Sequence, residues 1–403
     1  MFRNDRDIVI DIKRKEGRGD ISCRLSWKSI RRSKMTNREE EILQWIRENP
    51  MISQQELAEK AGITRSSVAV HISNLMKKGY ISGKGYVLSE PEYAVVVGGL
   101  NRDIGGIPFN PLVAQDSNPG KVTVSIGGVG RNIANNMALL GVRVYMLTAI
   151  GSDEFTHTIE KSCKEEKIDI SRARHIQDQS NATYLFIADE HGDMEIALSD
   201  MKIFDYVTPE YLAENIELLN KAKVVVSDTN IPEESLRWLC ENCKAPIFVD
   251  PVSTIKAAKL ENIIGKIHTL KPNRLEAEYL TGIKITDDDG SLKEAADKLL
   301  ESGLKRVFIS LGADGVYCAD SESSCKIPCP DTKLVNTTGG GDAFMGALVW
   351  SYMNGKSLEV SGKIAGGSAA IAVECEHTIN HELNIERALK KAGFDEDGIN
   401  VNL

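Results

Sequence analysis

Asn336-Thr337-Thr338-Gly339-Gly340-Gly341-Asp342-Ala343-Phe344 is the stretch on which the reading of this chain turns. Behind it, Met345, Leu348, Val349, Tyr352 and Met353 recur at helical spacing, so three glycines stand at a helix N-terminus. The first amides of a helix lack intrahelical partners, and the dipole places partial positive charge there, which makes an anion site. Glycine lets a phosphate approach that backbone closely. Asp342 closes the loop, placed to accept a hydroxyl proton as the hydroxyl attacks phosphorus. Read alone, the same residues equally describe a glycine-rich turn with an aspartate at a helix start.

Four other segments carry candidate chemistry. Gly127-Gly128-Val129-Gly130-Arg131-Asn132-Ile133-Ala134 opens a helix that stops at Gly141. It lacks the Gly-Lys-Ser/Thr ending of a Walker A loop, and alone it is a tight strand-to-helix turn. Gly99-Leu100-Asn101-Arg102-Asp103 follows the first apolar strand. A carboxylate at the C-terminal end of a strand lies where open α/β sheets bind ligands, and Asp103 could chelate a vicinal diol; alone it is a solvated loop aspartate. In Lys271-Pro272-Asn273-Arg274-Leu275-Glu276, Asn273 and Glu276 share one face of a helix start. Such oxygens suit hydrated Mg²⁺ beside phosphates, and they suit a capping pair as well. Ser310-Leu311-Gly312-Ala313-Asp314-Gly315 is a loop after an apolar strand whose glycines could admit a nucleotide.

The 403 residues, 42% of them hydrophobic, suffice for one large and one small domain. A net charge of −9 argues against whole-chain binding of polyanions, leaving a local basic patch open. No apolar run is long enough to span a bilayer and no signal-peptide core is visible, so a cytoplasmic location without membrane partners is expected. The 8 cysteines fit a reducing compartment. Cys240 with Cys243, and Cys325 with Cys329, are read as structural thiols in preference to a zinc site.

Residues 1–34 are basic with no apolar period, and are expected to be a disordered extension or to precede a natural start at Met35. Residues 35–90 read as a winged helix-turn-helix. Asn37 is expected to cap a first helix carrying Ile42, Trp45 and Ile46. Ser53 and Glu56 form a capping-box pattern for a second helix, which Gly62 ends. Thr64 caps a third with Val68, Ile72, Leu75 and Met76 on one face, and Tyr80–Leu88 reads as a wing. From residue 93 to 395, short apolar runs alternate with amphipathic helices, the pattern of a parallel α/β sheet covered on both faces. The segments 107–126 and 182–198 break that rhythm and read as a small β lid.

In this order the five segments resemble the ribokinase-like (PfkB) family, over roughly residues 93–395. The resemblance implies a three-layer α/β/α sheet with a β lid and an ATP-dependent kinase. In such an enzyme Asp342 is the base and the amides of Gly339, Gly340 and Gly341 form an anion hole. Asn101, Asp103, Gly127, Gly128 and Asn132 hold the ribose of the acceptor. Asn273 and Glu276 organise Mg²⁺ through water, and Ser310, Gly312 and Gly315 border ATP. Ribokinases usually carry Asp where this chain has Asn336, so the monovalent-cation site of the family is in doubt here. Longer runs resemble the pseudouridine kinases within the family: Asp116–Lys121, Gly127–Ala134, Phe248–Ser253 and Ile267–Glu278. They imply phosphorylation of the 5′-hydroxyl of pseudouridine, with another nucleoside or ribose as the alternative acceptor. Lys256, which follows the Asp250–Ser253 run, is expected to reach a uracil carbonyl or else to be a surface lysine.

The helix-turn-helix implies DNA as a partner. Arg65, Ser66, Ser67 and His71 are then expected at base edges, with Lys77, Lys78 and Lys84 on phosphates. A homodimer joined through the lid is expected. The rival of another class is a metabolite-sensing transcriptional regulator.

Overall fold

The computed structural model describes residues 9–14, 21–26, 35–81, 92–189, 193–286 and 289–394. The chain divides into two units, Met1–Pro91 and Glu92–Leu403.

In the first unit, Val9–Arg14 pairs antiparallel with Ile21–Ser26, from Val9 opposite Ser26 to Arg14 opposite Ile21. The stretch expected to be unstructured thus contains a ladder. Such a ladder is bonded through backbone groups, which an apolar period does not report. Three helices follow, Asn37–Glu48, Gln54–Ala61 and Arg65–Lys77. They close on Ile42, Ile46, Leu57, Val68, Ile72 and Leu75. The first helix is capped by Thr36, one residue before the expected Asn37: the Thr36 hydroxyl accepts from the Glu39 amide while the Glu39 carboxylate accepts from the Thr36 amide. Threonine followed three residues on by glutamate satisfies two orphan amides at once, which Asn37 with Glu40 does not achieve here. Ser53 and Glu56 make the same box, Gly62 ends the second helix in the left-handed region, and Thr64 caps the third. Of the expected wing, Tyr80 and Ile81 are described; residues 82–88, Lys84 included, lie outside the described residues.

The second unit is built on a nine-stranded sheet. In spatial order its strands are Ser324–Ile327, Val316–Asp320, Arg306–Ser310, Thr269–Leu270, Ile247–Asp250, Val224–Asp228, Tyr93–Val97, Arg143–Leu147 and Ile168–Asp169. The seven from Arg306–Ser310 onward run parallel, and the first two form an antiparallel hairpin at one edge. Strand alternation divides the core. Tyr93, Val95 and Val97 enter one apolar cluster and Ala94 and Val96 the other, so both faces are covered and the near-continuous apolar runs are explained. The first cluster includes Leu236, Ala277 and Leu292 from helices on one side; the second includes Ile133, Phe344 and Ile364 from the other. Cys240 and Cys243 pack against the first, and burial pushes the Cys240 thiol up to about 12.

A second sheet of four strands orders Met194–Asp200, Thr183–Ala188, Asn101–Pro108 and Gly120–Gly127. Its strands lie close to the expected lid segments, but the first begins at Asn101, earlier than expected. Asp103 is therefore a lid-strand residue, opposite Ser125 and Tyr184, and not a loop residue. The short Gly98-Gly99-Leu100 link leads straight from the central strand into the lid.

Candidate active site

The C-terminal ends of Tyr93–Val97 and Val224–Asp228 are tied together by one carboxylate. Asp228 is fully buried, and its Oδ2 accepts from the amides of Gly99 at 2.8 Å and Gly130 at 2.7 Å; its Oδ1 accepts from the amide of Asn230 at 2.8 Å. Burial raises its pKa, against the donors from Gly99 and Asn230 and the nearby Lys256 charge. This residue is not singled out by the sequence, where it stands two positions beyond the apolar run Val224–Val226. It draws together the turn after the central strand, the glycine turn at 127–130 and the loop at 229–231.

Around this anchor the glycines are set by close approach. Gly128 sits at φ +98°, and a Cβ there would meet the Gly99 carbonyl at 2.5 Å. A Cβ on Gly127 would overlap the Asp103 carboxylate. Asn101 donates to Asp103 Oδ1 at 2.6 Å, and burial raises the Asp103 pKa. Asn101, Asp103, Gly127, Gly128 and Asn132 are thus gathered between the lid strand and the helix Val129–Leu139.

Asn132 also reaches the glycine loop. Its side-chain nitrogen donates to Asp342 Oδ2 at 3.0 Å across 210 residues of sequence. Asp342 lies in the first turn of the helix Gly340–Met353, behind Gly339 at φ +86°. A Cβ on Gly339 would overlap the Thr378 carbonyl, so the loop is packed at that point as well as left-handed. Burial, then the nearby Asp250 carboxylate, pushes Asp342 up to about 7; the Asn132 donor and Lys271 oppose them. Lys271 is buried, with its ammonium 3.1 Å from Asp250 Oδ2 and 3.3 Å from where a Cβ on Gly341 would be. Burial alone would lower the lysine, yet Asp250 and Glu276 outweigh it and the pKa is raised. A fixed cation therefore stands beside both the glycine loop and the Asp250 carboxylate.

The segment leading to Lys256 is strained. Val252 has φ +65°, and the Ser253 amide donates to the Pro251 carbonyl at 2.6 Å, closing a three-residue turn. A β-branched residue in that region is a true outlier. The Val252 amide is held by Asp250 Oδ1 at 2.9 Å. Lys256 donates to Asn230 Oδ1 at 2.6 Å, and burial lowers its pKa. It thus points back to the Asp228 loop. Nothing in the sequence around Val252 signals the turn, because proline and valine there are ordinary strand-end residues.

Asn273 and Glu276 form a reciprocal capping box at 2.9 Å each way. Glu276 is buried with a raised pKa, caused first by that burial, and Asn273 is exposed. Ser310 donates its amide to the Pro272 carbonyl, linking this turn to the loop 310–315. Gly312 at φ +63° faces open space, whereas a Cβ on Gly315 at φ +90° would overlap the Ile327 carbonyl. Among the described residues no group of three or more His, Cys, Asp or Glu is poised to hold a metal. The acidic side chains here suit an ion that arrives with most of its ligands, as Mg²⁺ does on nucleotide phosphates.

In the first unit, Arg65 and Ser66 are exposed on the third helix, while Ser67 and His71 are half-buried. Ser66 and Ser67 both engage the Thr64 hydroxyl at 2.9 Å. The exposed face continues through Ala69, Val70 and Ser73, residues the sequence reading passed over because they carry no charge.

The model of the pfkB family carbohydrate kinases matches residues 91–385. The chain belongs to the pfkB family. It is a sugar or nucleoside kinase by fold and by family, transferring phosphate to a hydroxyl group. A winged helix-turn-helix DNA-binding model matches residues 35–82. An uncharacterized sugar kinase of Escherichia coli, YeiI, is 38% identical over 357 residues, covering 88% of this chain and 98% of that protein. That share exceeds the second unit alone, so the likeness extends into the first. The pseudouridine kinase of Escherichia coli is 39% identical over 305 residues, 75% of this chain and 97% of its own length. Among solved structures, a putative sugar kinase from Clostridium perfringens superposes with a TM-score of 0.69 at 35% identity, covering 75% of this chain and 96% of its own. Among the described residues no helix is long and apolar enough to cross a membrane.

Proposed function

We propose that this kinase transfers the γ-phosphoryl group of ATP to the 5′-hydroxyl of pseudouridine, with Asp342 as the base. The observation that carries the reading is Asp342 itself. Its carboxylate stands behind three glycines at a helix N-terminus, oriented by Asn132 and raised to about 7. A base of that pKa is half-ionised near neutrality, where proton abstraction is most effective. The acceptor's ribose hydroxyls fall to Asp103, Asn101 and Asn132 beneath the lid, and Lys256 with Asn230 faces its base. The amides of Gly339, Gly340 and Gly341, with the Lys271 ammonium, meet the charge that develops on the transferring group. Asn273 and Glu276 would hold Mg²⁺ through water, and that ion when bound neutralises phosphate charge. Ser310, Gly312 and Gly315 border ATP.

The acceptor rests on the likeness to the Escherichia coli pseudouridine kinase and on the Asp250–Ser253 and Ile267–Glu278 runs. The comparable likeness to a sugar kinase favours a second reading, another nucleoside or ribose as acceptor. Phosphorylation rates with ATP across pseudouridine, uridine, inosine, cytidine and ribose decide between them: pseudouridine should be used fastest. A faster rate on any of the others would move the assignment to that acceptor.

Two partners belong to this reading. The helix-turn-helix binds DNA and lends the enzyme a regulatory role, with Arg65 and Ser66 at base edges. The lid joins two copies. Its outer face aligns Val122, Ile187 and Ile196 in one row and Val124, Ile104, Leu185 and Leu198 in the next, across all four strands. Val122, Val124, Ile196 and Leu198 are each more than half exposed, an apolar patch of the kind a second copy covers. A protein that sediments as a monomer at micromolar concentration would remove this part of the proposal.

A further inference from the structure

Behind the candidate base lies a buried ion pair that the phosphoryl-transfer scheme does not use. Arg131, beside Asn132 in the first turn of Val129–Leu139, is buried and paired with Glu166, which is also largely buried. Glu166 follows the helix Thr156–Glu165 and accepts a second bond from Ser162 at 2.9 Å. A carboxylate at a helix C-terminus has the wrong sign for the dipole, so its position there is bought by the arginine. The arginine's other nitrogen, Nη1, donates to the Ile126 carbonyl and to Asn132 Oδ1, each at 3.3 Å. Asn132 in turn donates its amide nitrogen to Asp342. Its carbonyl oxygen thus faces a cation and its amide a carboxylate. Flipping the amide would point N–H at guanidinium and oxygen at carboxylate, so one orientation alone is satisfied.

We infer that Arg131 and Glu166 are positioning residues, locking the Asn132 amide so that it always donates to Asp342. The inference rests on Asp342 being the base. Its bland alternative is a staple between two helices, and the two differ in what they predict for the chemistry. The Asn132 donor favours the ionised form of Asp342, together with Lys271, against burial and the carboxylates of Asp250 and Asp228. Glu276 acts on Lys271, Asp103 feels Arg131, and Cys163 feels both Arg131 and Glu166; replacing Arg131 and Glu166 together removes those two charges and leaves the action of Glu276 on Lys271 in place. Freeing the Asn132 amide therefore raises the Asp342 pKa, so that less of the carboxylate is ionised and ready to accept a proton at neutrality.

The test uses the full chain with Arg131→Leu and Glu166→Leu combined, since replacing a buried ion pair by apolar residues leaves stability near neutral. The acidic limb of the kcat profile should move to higher pH, and kcat at neutrality should fall about tenfold, the scale of one hydrogen bond to a charged group. The KM for ATP should stay within about twofold. Arg131→Lys, which keeps the charge but not the fork, should show the same displacement in smaller degree, and it decides the matter if the double variant does not fold. An unmoved acidic limb and unchanged kcat, in a protein whose Asp342→Asn control is inactive, reduces the pair to a staple. An active Asp342→Asn control instead overturns the reading of the base.

Discussion

At Asp342, burial and the Asp250 carboxylate favour the protonated form, while Asn132 and Lys271 favour the ionised form, and the balance settles at about 7. The raised pKa has two consequences of fixed sign. Activity should rise with pH along an acidic limb centred near neutrality, read from kcat/KM against pH on the free enzyme. Stability runs the other way. A carboxyl whose folded pKa lies above its unfolded value contributes stability that is full below the unfolded value, near 4, and is lost as pH rises through about 7. Asp342→Asn should therefore raise Tm relative to the native chain at pH 8 and lose that advantage by pH 4. An equal Tm difference at both pH values would mean that the carboxyl is not held in the environment described.

Elements differ in how far their sequence announces them. The helix-turn-helix was readable because its caps are local: Ser53 with Glu56, Gly62 and Thr64 act within four residues. The cap at Thr36 was misplaced by one, since Asn37 with Glu40 offers a similar pattern and only geometry separates them. The lid start was missed because Asn101 and Asp103 look like loop residues until the strand at 183–188 pairs beside them. Gly312 and Gly315 test the same lesson. Both have positive φ, yet Gly312 faces open space and Gly315 faces the Ile327 carbonyl. Gly312→Ala should cost only about 1–2 kcal/mol for its left-handed backbone, while Gly315→Ala pays that and the overlap besides. Chemical denaturation that ranks them equal would refute the packing at Gly315. On the third helix, Arg65→Ala should reduce discrimination between DNA sites, because base-edge contacts carry sequence information and phosphate contacts do not. Gel-shift titrations against the promoter of its own operon measure this, and absence of binding at low salt would remove DNA as a partner of the helix-turn-helix.

Across the whole molecule, the α/β architecture and the order of the five motifs were legible, since apolar runs and glycine turns are local signals. What joins those motifs was not. Asp228, Asn230, Asp250 and Lys271 act through contacts between segments far apart in the chain: Asp228 reaches back 129 residues to Gly99, and Asn132 forward 210 to Asp342. No spacing rule reports such pairs, and each became visible only when the sheet placed its strand ends side by side. The glycine loop shows the complement: its place at a helix N-terminus could be read from three residues, while the cation beside it, Lys271, belonged to a different motif. We propose that this constellation performs phosphoryl transfer with Asp342 as base. The most direct measurement is steady-state phosphorylation of pseudouridine by purified native protein and by Asp342→Asn, with folding checked by circular dichroism and by ATP binding. The variant should fold and bind ATP while turning over about 10²–10⁴-fold more slowly; turnover within a few-fold of the native enzyme would show that Asp342 is not the base.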